Sequence, residues 1–116
     1  MGIKSIKYFE FTKTFKKEVK NYVENSPSLK DKINVCILDF QENLFLSEYY
    51  RKPLKNGTYK NFDIHELQVG GDFRIIIQIK ISVNKDGTYT CYFINFGSHS
   101  SLNLVGNKKL KINPIR

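Results

Sequence analysis

The hydrophobic positions of this chain repeat with two different periods, and the predicted elements follow from where one period gives way to the other. Ile3 to Phe11 mixes β-branched and aromatic residues with alternating lysines, the pattern of a strand with one polar face. From Thr12 the spacing becomes helical. Phe15, Val19, Tyr22 and Val23 fall on one side while Lys16, Lys17, Glu18 and Lys20 fall largely elsewhere, which predicts a helix ending near Asn25. Ser26-Pro27-Ser28 interrupts it. Ser28 with Asp31 resembles a capping box, so a second helix is expected to start there. Leu29, Ile33, Cys36, Ile37, Phe40 and Leu44 hold the helical period to about Leu46, giving a helical hairpin with one shared apolar side.

Tyr49 to Lys60 carries Pro53, an Asn56-Gly57 turn signal and several basic residues, and reads as a solvated loop. Strand-like runs follow at Phe62 to Leu67, Phe73 to Ser82 and Tyr89 to Phe96. In the second, Phe73, Ile75, Ile77, Ile79 and Ile81 share a face opposite Arg74, Gln78 and Lys80. Asn84-Lys85-Asp86-Gly87 should close it onto the third run as an antiparallel hairpin. Ile76, Tyr92, Ile94 and Phe96 make the opposite face partly apolar as well. The expected class is α+β, in the order β-α-α-β-β-β, an antiparallel sheet with the N-terminal helical hairpin packed on one face. One domain spans residues 1–116, and residues 104–116 form a basic C-terminal extension for which a short helix, an edge strand or a loose arm all fit.

Composition narrows the partners. Nineteen Lys plus Arg against eleven Asp plus Glu give a formal charge of +8 in 116 residues, which favours polyanions and nucleic acid first, although a lysine-rich genome can colour any surface this way. No apolar run approaches the roughly 20 residues that cross a bilayer, and no charged-then-apolar leader is read, so a cytoplasmic protein without membrane contact is expected. Cys36 and Cys91 sit within apolar patterns and read as buried hydrophobes in a reducing compartment.

Candidate chemistry centres on His65 and His99, the two histidines of the chain. Histidine suits proton transfer near neutral pH, and neighbouring strand ends of a meander can bring such positions together. Ordinary polar roles for both are the plain alternative. Glu66 and Asp72 supply carboxylates; His65 and Glu66, adjacent on a strand, point to opposite faces, so His65 is grouped with Asp72. No paired cysteines and no His-x-x-x-His spacing complete a metal site, and no glycine-rich loop leads into a helix to cradle a nucleoside triphosphate, so no metal or cofactor is expected. Arg51, Lys52, Lys55 and Lys60, with Arg74 on the long strand, are candidate RNA phosphate contacts. Tyr49, Tyr50, Tyr59 and Phe62 offer rings for unstacked bases, or else anchor the loop.

Four blocks, Lys52-Pro53-Leu54-Lys55, Phe62 to Leu67, Gly71 to Ile76 and Phe96-Gly97-Ser98-His99-Ser100-Ser101-Leu102, together resemble in order those of YafQ-like toxins in the RelE/ParE superfamily. The resemblance covers roughly residues 3 to 103, and the Gly-Ser-His-Ser block is its most specific part. It implies the toxin of a type II toxin–antitoxin pair, an mRNA interferase cutting mRNA on the ribosome by metal-independent acid–base catalysis, and neutralised by a cognate antitoxin in a hetero-oligomeric complex. By that resemblance His99 matches the principal catalytic histidine, His65 the histidine of the middle strand and Asp72 the acidic residue before the long strand. The chain departs from the pattern at Lys52, where the family often has histidine, at Asn103, where it has an aromatic residue, and in three extra residues between His65 and Asp72.

Two other functions compete. A ParE-like toxin that poisons DNA gyrase has no chemical use for these acid–base residues. A non-catalytic RNA-binding domain is compatible with the charge and the aromatics alone.

Overall fold

The structure is a computed structural model and describes residues 5–55, 59–84, 86–104 and 109–116. Ile3, the Asn56-Gly57 turn signal and Lys85 lie outside the described residues. The chain runs β1 (Ile6–Phe11), α1 (Lys13–Val23), α2 (Pro27–Asn43), a short 3-10 turn (Leu44–Leu46), β2 (Tyr50–Pro53), β3 (Ile64–Gly70), β4 (Phe73–Ile81) and β5 (Tyr89–Ser98). No described helix is long and apolar enough to cross a membrane.

Local chemistry sets the helix starts. Thr12 is extended and its hydroxyl accepts the Phe15 N–H at 3.1 Å, capping α1 where the period changes. Helix α2 begins at Pro27, one residue before the expected capping box. Proline at the first helical position has no N–H to leave orphaned and its φ is already helical, so Ser28 falls inside the first turn and Ser26 becomes the cap without a side-chain bond.

Five strands form one sheet in the order β1-β5-β4-β3-β2. Two expectations are corrected here. The sheet is mixed, because β1 pairs with β5 in parallel while the other pairings are antiparallel; a parallel neighbour requires a long crossover, which the helical hairpin and the strands after it supply. Four strands, not three, follow the helices, since the basic stretch expected to be a loop contains β2, paired antiparallel to β3. Arg51, Lys52 and Pro53 of β2 are all exposed, so this edge strand shows no apolar alternation, and proline is tolerated at an edge.

The sheet is buried on both faces. On the helix side Phe15, Ile33, Cys36 and Phe40 pack onto Leu67, Ile75, Ile77 and Phe93. On the outer side Ile64, Ile76 and Ile94 are covered by Leu54, Leu102, Leu110 and Ile112. Both cysteines are free and buried, and burial pushes the Cys36 thiol up to about 12. Residues 109–116 form neither a helix nor a strand but a strap across the outer face.

The strap is held by side-chain amides of the sheet. The Ile115 N–H donates to Gln78 Oε1 at 2.7 Å, and Gln78 Nε2 donates back to the Ile115 carbonyl at 2.8 Å. The Asn113 N–H donates to Asn95 Oδ1 at 2.7 Å. Gln78 and Asn95 are 2% and 0% exposed, so without the strap they would be polar groups on an open apolar sheet. Leu110→Ala or Ile112→Ala is expected to lower unfolding free energy by about 2 kcal/mol, read from urea midpoints.

Candidate active site

The turn after β5 is built by its own serines. The Ser98 N–H donates to Ser101 Oγ at 2.9 Å, and the Ser101 N–H donates to Ser98 Oγ at 3.0 Å. Gly97 permits this, because a Cβ there would lie 2.7 Å from Ser101 Oγ and 3.2 Å from Leu102. Leu102, 2% exposed, anchors the turn in the outer core. His99 is thereby presented, half-buried, just past the end of β5.

The β3–β4 turn lies against it. Gly71, at φ +52°, takes the left-handed conformation that favours glycine. Asp72 follows, exposed, and its carbonyl accepts the His99 N–H at 2.8 Å. Asp72 and His99 are therefore joined through the backbone at one end of the sheet. Beneath this end the Phe73 and Phe96 rings stack at 5.7 Å, and Tyr22 meets both edge-on.

His65 is not brought to this place. It pairs with Ile77 on β4, whereas the His99 turn follows the Phe73–Ser98 pair. Four residues of strand separate the two levels, about 13 Å at 3.3 Å per residue. Its register partner Ile77 belongs to the helix-side core, and its ring packs on Phe45 and Tyr50. Both ring nitrogens are engaged, Nδ1 with the Tyr50 hydroxyl at 2.9 Å and Nε2 with Asp63 Oδ1 at 2.6 Å. Burial, and then the Asp63 charge, hold the Tyr50 hydroxyl above its ordinary range. His65 thus ties β2 to β3.

The basic residues divide likewise. Arg51 donates to Gln68 Oε1 near the His99 end, and Lys52, exposed, stands directly opposite Glu66 in the β2–β3 ladder. Lys55 and Lys60 line a cavity of about 420 Å³ with Phe62 and Asp63 at the other end of β3. Arg74, expected to face phosphate, is instead 8% exposed and bound to Glu66 at 2.9 Å. Tyr59 and Phe62 pack against the outer core, while Tyr49 and Tyr50 pack against the helix-side core, so all four rings anchor chain segments.

Glu18 was hidden in the lysine-rich pattern of α1. Its Oε1 accepts from Asn95 Nδ2 at 2.9 Å and from the Phe96 N–H at 3.0 Å, and it lines a cavity of about 410 Å³ with Tyr22, Ser101 and Lys111. Burial outweighs these two bonds and holds its carboxyl above the usual range. The i, i+3 relation of Glu18 to Phe15 and its i, i+4 relation to Tyr22 are the sequence signals of an inward position. Among the described residues no three of His, Cys, Asp or Glu are grouped to hold a metal.

The fold of this chain has counterparts among solved structures. The chain is similar to the metal-bound toxin from Helicobacter pylori, with 28% identity and a TM-score of 0.58 over 82% of this chain and 97% of that one. It shares its fold with a chain of the Escherichia coli DinJ–YafQ complex, with 17% identity and a TM-score of 0.50 over 82% and 96%. No protein-family model and no curated protein matches the sequence.

Because the folded state binds the Glu18 proton more tightly than the unfolded chain does, the ionised carboxylate opposes folding at neutral pH. Glu18→Gln is therefore expected to be more stable than the parent at neutral pH, with the difference closing as pH falls through the raised Glu18 range. Thermal melts across that interval measure it.

Proposed function

We propose that this chain is the toxin of a toxin–antitoxin pair and acts as a ribosome-dependent mRNA endoribonuclease. The observation that carries the reading is the junction of His99 and Asp72 at one sheet end, with Arg51 of β2 linked to the β3–β4 turn through Gln68, in a chain of charge +8 whose fold is shared with a bacterial toxin. The ribose 2′-hydroxyl gives up its proton to a base and attacks the adjacent phosphorus. The bond to the 5′-oxygen breaks, leaving a 2′,3′-cyclic phosphate, and the departing oxygen takes a proton. His99 is assigned as the acid for the leaving oxygen and Asp72 as the acceptor of the 2′-hydroxyl proton. Arg51, Lys52, Lys55 and Lys60 hold flanking phosphates. His65 supports β2, and with it Lys52, instead of touching RNA. The reaction so written exchanges one phosphorus–oxygen bond for another, with one proton taken up by Asp72 and one given by His99, and calls for no metal.

An antitoxin partner is proposed by likeness to the DinJ–YafQ complex. Phe11, Phe15, Val19, Ile33, Ile37 and Leu38 line an apolar groove on the helical hairpin, and Lys13, Lys16, Lys17 and Lys20 are exposed on α1. That surface suits an acidic amphipathic segment.

Induced expression of the parent and of His99→Ala in a bacterial host, with growth curves and 5′-end mapping of mRNA, tests the nuclease. Growth arrest with in-frame cuts that disappear in His99→Ala is the expected outcome. Arrest without cuts would favour gyrase poisoning, and cuts persisting in His99→Ala would remove His99 from the mechanism.

A further inference from the structure

Glu66 and Arg74 are charged residues withdrawn from water, with side chains 2% and 10% exposed. A buried ion pair is costly unless its geometry is well satisfied. Here the satisfaction is directional. Arg74 Nε donates to Glu66 Oε2 at 2.9 Å, while Nη1 donates to the Gly71 carbonyl at 2.9 Å and the Phe73 carbonyl at 3.2 Å. Gln68 Nε2 also donates to the Gly71 carbonyl, at 3.0 Å, and Gln68 is itself held by Arg51.

The two carbonyls that Nη1 reaches bracket Asp72, whose own carbonyl accepts the His99 N–H. A Gly70-Gly71 turn has much backbone freedom to lose, and a planar guanidinium fork bonded on both sides of Asp72 removes it. Among the described residues Glu66 Oε1 has no hydrogen-bond partner, and the hydrogen bond that aims this buried carboxylate comes from Arg74. A carboxylate oxygen left unpaired in the interior is a strain that persists only where the surrounding structure holds it.

The geometry points to Glu66 and Arg74 as a positioning pair for the turn that seats Asp72 and His99, with the guanidinium fork bonded to turn carbonyls and not to an RNA phosphate. The catalytic meaning of this pair rests on the function proposed above; its mechanical effect on the turn does not. Lysine at position 74 keeps the charge but gathers its donors on one nitrogen at the end of a flexible stem, losing the rigid spacing by which Nε meets Glu66 while Nη1 meets the two carbonyls. Glutamine at position 66 keeps the shape but removes the charge that anchors the fork.

Arg74→Lys and Glu66→Gln are compared with the parent by backbone amide hydrogen exchange and by binding of a short single-stranded RNA at several salt concentrations. Exchange at the His99 amide should rise about tenfold in Arg74→Lys, and less in Glu66→Gln, with the Ile77 and Phe93 amides unchanged. The slope of log affinity against log salt should stay that of the parent. In a ribosome-dependent cleavage assay turnover should fall about tenfold, with KM unaltered. An unchanged His99 amide together with a salt slope lower by about 0.7, the loss of one phosphate contact, would overturn the proposal and make Arg74 an RNA ligand. Should Arg74→Lys loosen the core amides too, Glu66→Gln decides: a selective rise at His99 supports the proposal, and no rise overturns it. A parent that cleaves no RNA would defeat the nuclease reading while leaving the exchange result to stand or fall by itself.

Discussion

Strand β4 lies at the middle of the sheet with Ile75 and Ile77 facing the helices and Ile76 facing the other way, all of them 0% exposed. Burial of apolar area is the main favourable term in folding, and the apolar patch that Ile76 makes with Ile64 and Ile94 on the outer face must be covered as the helix face is. The helical hairpin covers one face and cannot reach the other. The C-terminal strap, the β2–β3 connection at Leu54 and the turn that carries His99 together cover the second. Leu102 makes the link explicit, since it is at once a core residue and the anchor of the His99 turn.

Covering the second face also decides which polar groups can be functional. Gln78 and Asn95 are committed to the strap, and Glu66 and Arg74 to each other and to the β3–β4 turn. His65 is committed to Tyr50 and Asp63 on the helix side. Asp72 and the β2 residues Arg51 and Lys52 are exposed and His99 is half-buried. In the nuclease reading proposed above, the exposed cations attract phosphate while the imidazole and the carboxylate transfer protons.

Much of this was legible in the sequence wherever a face is buried. The helical spacing of Phe15, Val19, Tyr22 and Val23, and the alternation of Ile75, Ile77 and Ile79, are periodic because one side of each element packs on a core. Strand β2 was not legible. It lies at an edge and its exposed Arg51-Lys52-Pro53 run is specified by pairing with β3, not by an apolar rhythm. The strap was not legible either, since Leu110 and Ile112 bury themselves against side chains from strands far away in the chain.

The same division holds for the site. Sequence alone determined the residue types available for chemistry, the basic charge, and the rule that His65 and Glu66 must face opposite ways, because charge and strand alternation are properties of the local chain. Only the tertiary structure decided that His65 turns inward while Asp72 and His99 meet, and that Arg74 is an internal brace. Those outcomes depend on strand register and on the length of the β3–β4 hairpin, where a shift of one residue moves every side chain to the other face.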